Sequence, residues 1–149
     1  MGMAHSRNRL IIRYMWFSVF LVWSDVAIAI LRIATAAILI AHGLPKAKNF
    51  SGTASWFESV GFKPGKLWVG VVVALECGGG ILLLAGFLVQ PIAILLAIQF
   101  AVILFWRLRR GDKLIGGYEL DLIIFASLLA LVTLGSGAFA FDNLAPYLF

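Results

Sequence analysis

The stretch LWVGVVVALECGGGILLLAGF, Leu67 to Phe87, is apolar over a full membrane span except at Glu76. A run of about 20 such residues is long enough to cross the hydrocarbon core as a helix. Cys77, Gly78, Gly79 and Gly80 follow the carboxylate directly. An ionised side chain at the bilayer centre costs at least about 2.5 kcal/mol even on the lenient insertion scale. The stretch therefore sets the fold class, a membrane bundle, and poses one question: what does Glu76 meet?

The whole chain agrees with its centre. It has 149 residues, 62% of them apolar and 13% charged, which is the composition of a polytopic membrane protein. Three more runs have membrane-crossing length or nearly so: 26–43, 91–106 and 117–134, alongside 67–88. The expected fold is all-α: an antiparallel bundle of four transmembrane helices forming one membrane domain over residues 1–149, in contact with membrane lipid. Ser24 and Asp25 read as the start of the first helix, a cap followed by an acid in the first turn. The second and third helices are joined by a very short turn at Val89-Gln90-Pro91 and must be antiparallel neighbours. Residues 10–23 carry Tyr14, Trp16, Phe17, Phe20 and Trp23 behind Arg7, Arg9 and Arg13. That segment is too short to span and suits the headgroup region, so it reads as an interfacial helix. The rival reading is a signal peptide cut near Ala27-Ile28-Ala29.

Charge orients the bundle. Side B, reached at the end of the first helix, holds Lys46, Lys48, Lys63, Lys66, Arg107, Arg109, Arg110 and Lys113. The positive-inside rule puts that side, and so the loops after helices 1 and 3, in the cytoplasm of a prokaryotic cell whose inner membrane the chain spans. The three N-terminal arginines pull the other way. The net charge of +5 is explained by these membrane edges, not by nucleic-acid binding.

At about 1.5 Å per residue, Glu76 lies about 13 Å from side B, while Arg32 and Gln99 lie about 9 and 12 Å from side A. These groups sit on three helices at overlapping depths, so the expected polar intramembrane cluster is Glu76 bonded to Arg32, with Gln99 completing the shell. A lone carboxyl at such a depth would hold its proton instead. Gly79 and Gly86 share a broad face with Glu76 and are expected to let a neighbouring helix approach. A second cluster gathers at side B: His42 and Lys46, four apart, and Glu119 and Asp121 at the head of the fourth helix. Ordinary interfacial ion pairing and acids at a helix N-terminus would explain the second cluster equally well.

Several chemistries are absent from the sequence. His5 and His42 fall on opposite faces, there is no CxxCH, and Cys77 is alone, which leaves no haem or iron–sulfur ligand set. No phosphate loop, dinucleotide fingerprint or metal-ligand cluster is present. If the protein handles electrons, their carrier is borrowed.

An arginine early in helix 1, Arg32, followed by AHGLPK (Ala41 to Lys46), resembles the opening signature of the DoxX-type membrane proteins. Glu76-Cys77-Gly78-Gly79 and then Gly86 are similar to that family's second-helix pattern. Glu119 and the ending GSGAFAFD, Gly135 to Asp142, resemble its final acid and glycine-rich element, though without the proline often found there. The likeness covers about Ile28 to Asp142 and carries over Arg32, His42, Gly43, Lys46, Glu76, Gly79, Glu119 and Asp142. It implies a small bundle serving redox chemistry at the membrane, often with other subunits; some relatives form the membrane part of a thiosulfate:quinone oxidoreductase.

Two functions follow, and whether the chain is itself an enzyme stays open between them. In the first it is the membrane subunit of a quinone-linked oxidoreductase. Arg32 or His42 would polarise a quinone carbonyl, Glu76 or Glu119 would deliver protons, and a partner would hold the redox centre. In the second it is a non-catalytic accessory subunit that anchors a larger membrane complex. A small carrier is a third reading, without the inverted repeats that would support it.

Overall fold

The structure is a computed structural model, and it describes residues 23–144. Of the N-terminal segment expected to lie along the membrane surface, residues 10–22 fall outside the described residues. Four helices are long and apolar enough to cross a bilayer: α1 (Ser24–Lys48), α3 (Gly65–Ala85), α4 (Val89–Arg110) and the segment Leu114–Leu134, whose regular part is α5 (Glu119–Leu134). Between α1 and α3 lies a short helix, α2 (Phe50–Ser59), which the sequence reading did not assign. A final turn, α6, covers Phe141–Leu144. The fold is an all-α membrane bundle.

The helix ends obey local chemistry. Asp25 sits in the first turn of α1 and Lys46 and Lys48 in its last, each matching the sign of the helix dipole there. Pro45 does not stop α1, which gives up one backbone bond and continues to Lys48. Asn49 then accepts from the Gly52 N–H and starts α2. Helix α3 ends at Ala85 because Gly86 turns left-handed, at φ 75°. Only Phe87 and Leu88, the latter itself left-handed at φ 51°, separate Gly86 from Val89 and the start of α4. Pro91 lies in the first turn of α4, where its missing N–H costs nothing.

Helix α3 is not uniform. Over Ala74–Gly79 it widens to a π-helical turn, and this is the turn that carries Glu76. Such turns are rare and concentrate at functional positions.

The four spanning helices close a ring in which α1 and α4 each pack against both α3 and α5. Leu39, Leu83, Leu96, Leu128 and Leu131 are fully buried at its centre. Outward-facing residues such as Ile30, Ile98 and Ile123 stay exposed and apolar, as a lipid-facing surface requires. Close approach of α1 to α3 depends on glycine. A Cβ on Gly43 would lie 2.5 Å from Cys77 Sγ and 3.0 Å from Glu76 Cβ, and one on Gly80 would lie 2.7 Å from Ile40.

Candidate functional site

Glu76 is fully buried, held by the π-helical turn with its carboxylate pointing between α1 and α4. Its partner is Lys46, not Arg32. The Lys46 ammonium donates to Oε1 at 2.6 Å and to Oε2 at 2.5 Å. Gln99 Nε2 donates to Oε1 at 3.0 Å from α4. The carboxylate is thus met from two neighbouring helices. The Lys46 side chain is 29% exposed and Glu76 only 1%, so the pair is buried at its acidic end and reachable at its basic end. The expected triad is corrected by side-chain reach. Lys46 belongs to the side-B end of α1, but its long flexible stem carries the charge several ångströms along the helix toward the level of Glu76.

Arg32 is buried, yet its guanidinium turns toward side A. It donates to the carbonyls of Leu83 at 2.6 Å, Leu84 at 2.9 Å and Phe139 at 2.9 Å. The first two are among the last carbonyls of α3, where the regular helical bonding runs out; the Leu83 carbonyl also accepts from the Gly86 N–H at 3.1 Å. A cation there also meets the negative end of the helix dipole. Beside it, Asp142 caps the start of α4 by accepting from the N–H groups of Leu88 and Val89 at 2.9 and 3.1 Å. Its own N–H reaches the Gly86 carbonyl at 3.0 Å. Asp25 accepts from the Ala138 N–H at 3.0 Å and ties the final segment back to α1. Arg32, Gly86 and Asp142 therefore form a lock at the side-A end, separate from Glu76. Gly86 serves there as a left-handed cap, and a Cβ on it would sit 2.7 Å from Ala140. Gly79 does face a neighbour, α4, with Ile92 and Leu96 at 3.2 and 3.4 Å from a Cβ placed on it.

The Glu76 group forms one wall of a cavity of about 550 Å³ that runs toward side B. His42, Lys46, Glu76, Gln99, Arg107 and Asp121 supply its polar lining; the aromatics Trp56, Phe57, Phe62, Trp68, Phe100 and Trp106, aliphatic residues of α3, α4 and α5, and Gly117 supply the rest. Of the expected side-B cluster, His42, Lys46 and Asp121 line the cavity, whereas Glu119 is exposed and does not. Asp121 pairs with Arg107 Nε at 2.7 Å. Lys46 and Glu76 neutralise one another, and so do Arg107 and Asp121. Arg107 also reaches Asp112 at 3.4 Å, which Arg110 meets at 3.3 Å, so the cavity wall carries one ion pair, one edge of a four-membered charge network that balances overall, one imidazole and one amide.

Two polar groups there have capacity left. Gln99 Oε1 is buried without a hydrogen-bond partner, and His42 makes no side-chain hydrogen bond or ion pair among the described residues. A free acceptor and a free imidazole beside aromatic walls suit a flat, neutral molecule with oxygen atoms at its edge. Among the described residues no three histidine, cysteine, aspartate or glutamate side chains gather as a metal site would need. Arg107 and the aromatic lining were not singled out in the sequence. The only hint was the clustering of Trp56, Phe57, Phe62 and Trp68 within one short segment.

Residues 27–108 match the family model described as DoxX. The Escherichia coli (strain K12) inner membrane protein YphA is 32% identical over 79% of this chain and 89% of its own length. A second protein of that strain, inner membrane protein YqjF, is 29% identical over 80% and 92%. A Bacillus subtilis (strain 168) protein named "Putative oxidoreductase CatD" is 27% identical over 84% and 89%. No solved structure matches the chain. With the family model covering more than half of its residues and its four apolar helices in place, the chain belongs to the DoxX family of multi-pass prokaryotic inner-membrane proteins.

Proposed function

We propose that this chain is the membrane subunit of a quinone-linked oxidoreductase, supplying the quinone site and its proton handling while a partner protein holds the redox centre. The observation that carries the reading is the cavity of about 550 Å³, with aromatic walls and the Lys46–Glu76–Gln99 group at mid-membrane depth. A bound quinone would supply two-electron, two-proton carrier chemistry. The chain's own residues would orient the ring and move the protons. His42 would donate to a carbonyl oxygen of the oxidised ring, Gln99 Oε1 would accept from a hydroxyl of the reduced ring, and the Lys46–Glu76 pair would be the group placed to pass protons to and from the ring edge. Arg32 has no part in this, because its donors are committed to three backbone carbonyls. Glu119 has none either, since it lies off the cavity. An oxidoreductase name on one relative fits this class of chemistry. The loops after α1 and α4, rich in lysine and arginine, face the cytoplasm in this reading.

The test is extraction of the protein from its native membrane in lipid-preserving discs, followed by counting quinone per chain. About one quinone per chain, falling to the membrane background in His42→Ala and Gln99→Leu, supports the reading. Background quinone in the wild type would overturn it. The surviving alternative would then be an accessory subunit that anchors a larger complex.

A further inference from the structure

We infer that the cavity opens sideways into the bilayer, through a portal between the first half of α3 and the middle of α4, and that its ligand arrives along the membrane plane. The reading of the ligand as a quinone is inherited from the proposal above; the portal stands on its own observations.

The first is the rim. Val71, Leu95, Ile98 and Val102 all line the cavity, yet they are 41, 48, 58 and 48% exposed. Aliphatic residues that are at once cavity wall and outer surface, facing one another across two neighbouring helices, mark an opening between those helices. Counting about 1.5 Å per residue, Val71 lies about 9 Å from the side-B end of α3 and Val102 about 12 Å from that of α4. Both heights fall inside the hydrocarbon core, so the opening faces lipid chains rather than water. The four residues bordering this gap are aliphatic, as a lipid-facing mouth requires; the other exposed wall residues, His42, Trp56, Trp68 and Leu120, stand elsewhere around the cavity.

The second is what closes the other directions. Toward side B, five aromatic rings stand in an unbroken series from α4 through α2 to α3. Trp106 meets Trp56 at 5.9 Å between centroids, Trp56 meets Phe57 at 5.4 Å, Phe57 meets Phe62 at 5.8 Å, and Phe62 meets Trp68 at 6.2 Å. This arch bridges the side-B ends of the two helices, and its contacts are mostly edge-on, the favoured geometry for such pairs. The Arg107–Asp121 pair stands beside it. Toward side A, α3 and α4 come together from the π-helical turn onward and are joined by the short turn at Gly86 to Leu88. The gap between them is framed above and below and left open at the side.

The third is charge. The Lys46–Glu76 pair and the Arg107–Asp121–Asp112–Arg110 network are each neutral overall, which favours a neutral molecule over an anion or cation. The portal therefore fits a neutral, ring-headed amphiphile. Its polar head would lie against Gln99 and His42 and its apolar chain would trail out past Ile98 and Val102.

A tryptophan reporter tests the route independently of any ligand. Ile103→Trp, and separately Leu75→Trp, each place an indole on the cavity wall. In liposomes the added emission should be quenched by phosphatidylcholine with brominated acyl chains and not by aqueous iodide. Quenching by iodide alone, in whichever variant folds, would overturn the portal. A second measurement uses ubiquinone with a long isoprenoid tail and its tailless analogue, read by quenching of native tryptophan. Ile98→Phe/Val102→Phe should slow binding of the long-tailed form about tenfold and leave the tailless form unchanged. Equal effects on both forms would sink the portal while leaving the quinone site standing. No binding of either form to the wild type would remove the quinone reading and leave the portal to be decided by the lipid quenching.

Discussion

Lys46 and Glu76, thirty residues apart and on different helices, meet inside the bundle with both carboxylate oxygens within 2.6 Å of one ammonium group. Removing one member strands the other. Lys46→Met should lower the stability of the detergent-solubilised protein by about 3 kcal/mol, the low end for a broken buried pair because the lysine is partly exposed. Lys46→Met/Glu76→Gln should recover more than half of that loss in a thermal melt. A double variant no better than the single one would show that the pair is not what holds α1 to α3 here.

Arg32 and Glu76 should behave as strangers. Arg32→Met removes three hydrogen bonds from a charged donor, each contributing about 1.5 kcal/mol or more. Its effect should add to that of Glu76→Gln within about 0.5 kcal/mol in a double-mutant cycle. A coupling well beyond that value would restore the direct contact expected from depth alone. Arg32→Lys should rescue little, since an ammonium cannot reproduce the planar fork that reaches carbonyls on two segments.

Asp142 holds the start of α4 from outside that helix. Asp142→Ala should cost about 1 kcal/mol, the usual loss for a removed cap, whereas Asp142→Asn should cost much less because asparagine also accepts from backbone N–H. Hydrogen exchange at Leu88 and Val89 reads this directly. Faster exchange at both amides is expected in the alanine variant.

Gly43 faces Cys77 and the backbone beside Glu76, with Cys77 N at 3.2 Å from a Cβ placed on it. Gly43→Ala should destabilise by about 1–3 kcal/mol through overpacking. Adding Cys77→Ala removes the sulfur that the new methyl would strike first and should return part of the loss. If the second substitution makes matters worse, the clash lies with the backbone instead.

Much of this was legible in the sequence. Four apolar runs gave the spans, and the short link around Pro91 made α3 and α4 neighbours. Gln99 was placed at the depth where it meets Glu76. The partner of Glu76 was not legible, because counting residues measures the height of backbone atoms and neglects the length of a lysine or arginine side chain. Arg32 and Lys46 each extend by several ångströms toward side A, which carries Arg32 away from the level of Glu76 and brings Lys46 up to it. The Arg107–Asp121 pair spans two helices with no local periodicity to reveal it. Helix α2 has only ten residues, and its role comes from contacts with α3 and α4 that no local pattern encodes. The first span, expected to end at residue 43, continues as α1 through Pro45 to Lys48.

The π-helical turn has one more consequence, best put as an angle. A residue in excess of the α-helical register rotates everything beyond it by about 100° relative to everything before it. The half of α3 that precedes Glu76 packs chiefly on α2, and the half that follows packs chiefly on α1. A straight helix would have to choose a single compass bearing. This one faces two neighbours in succession, and Glu76 sits at the change of heading.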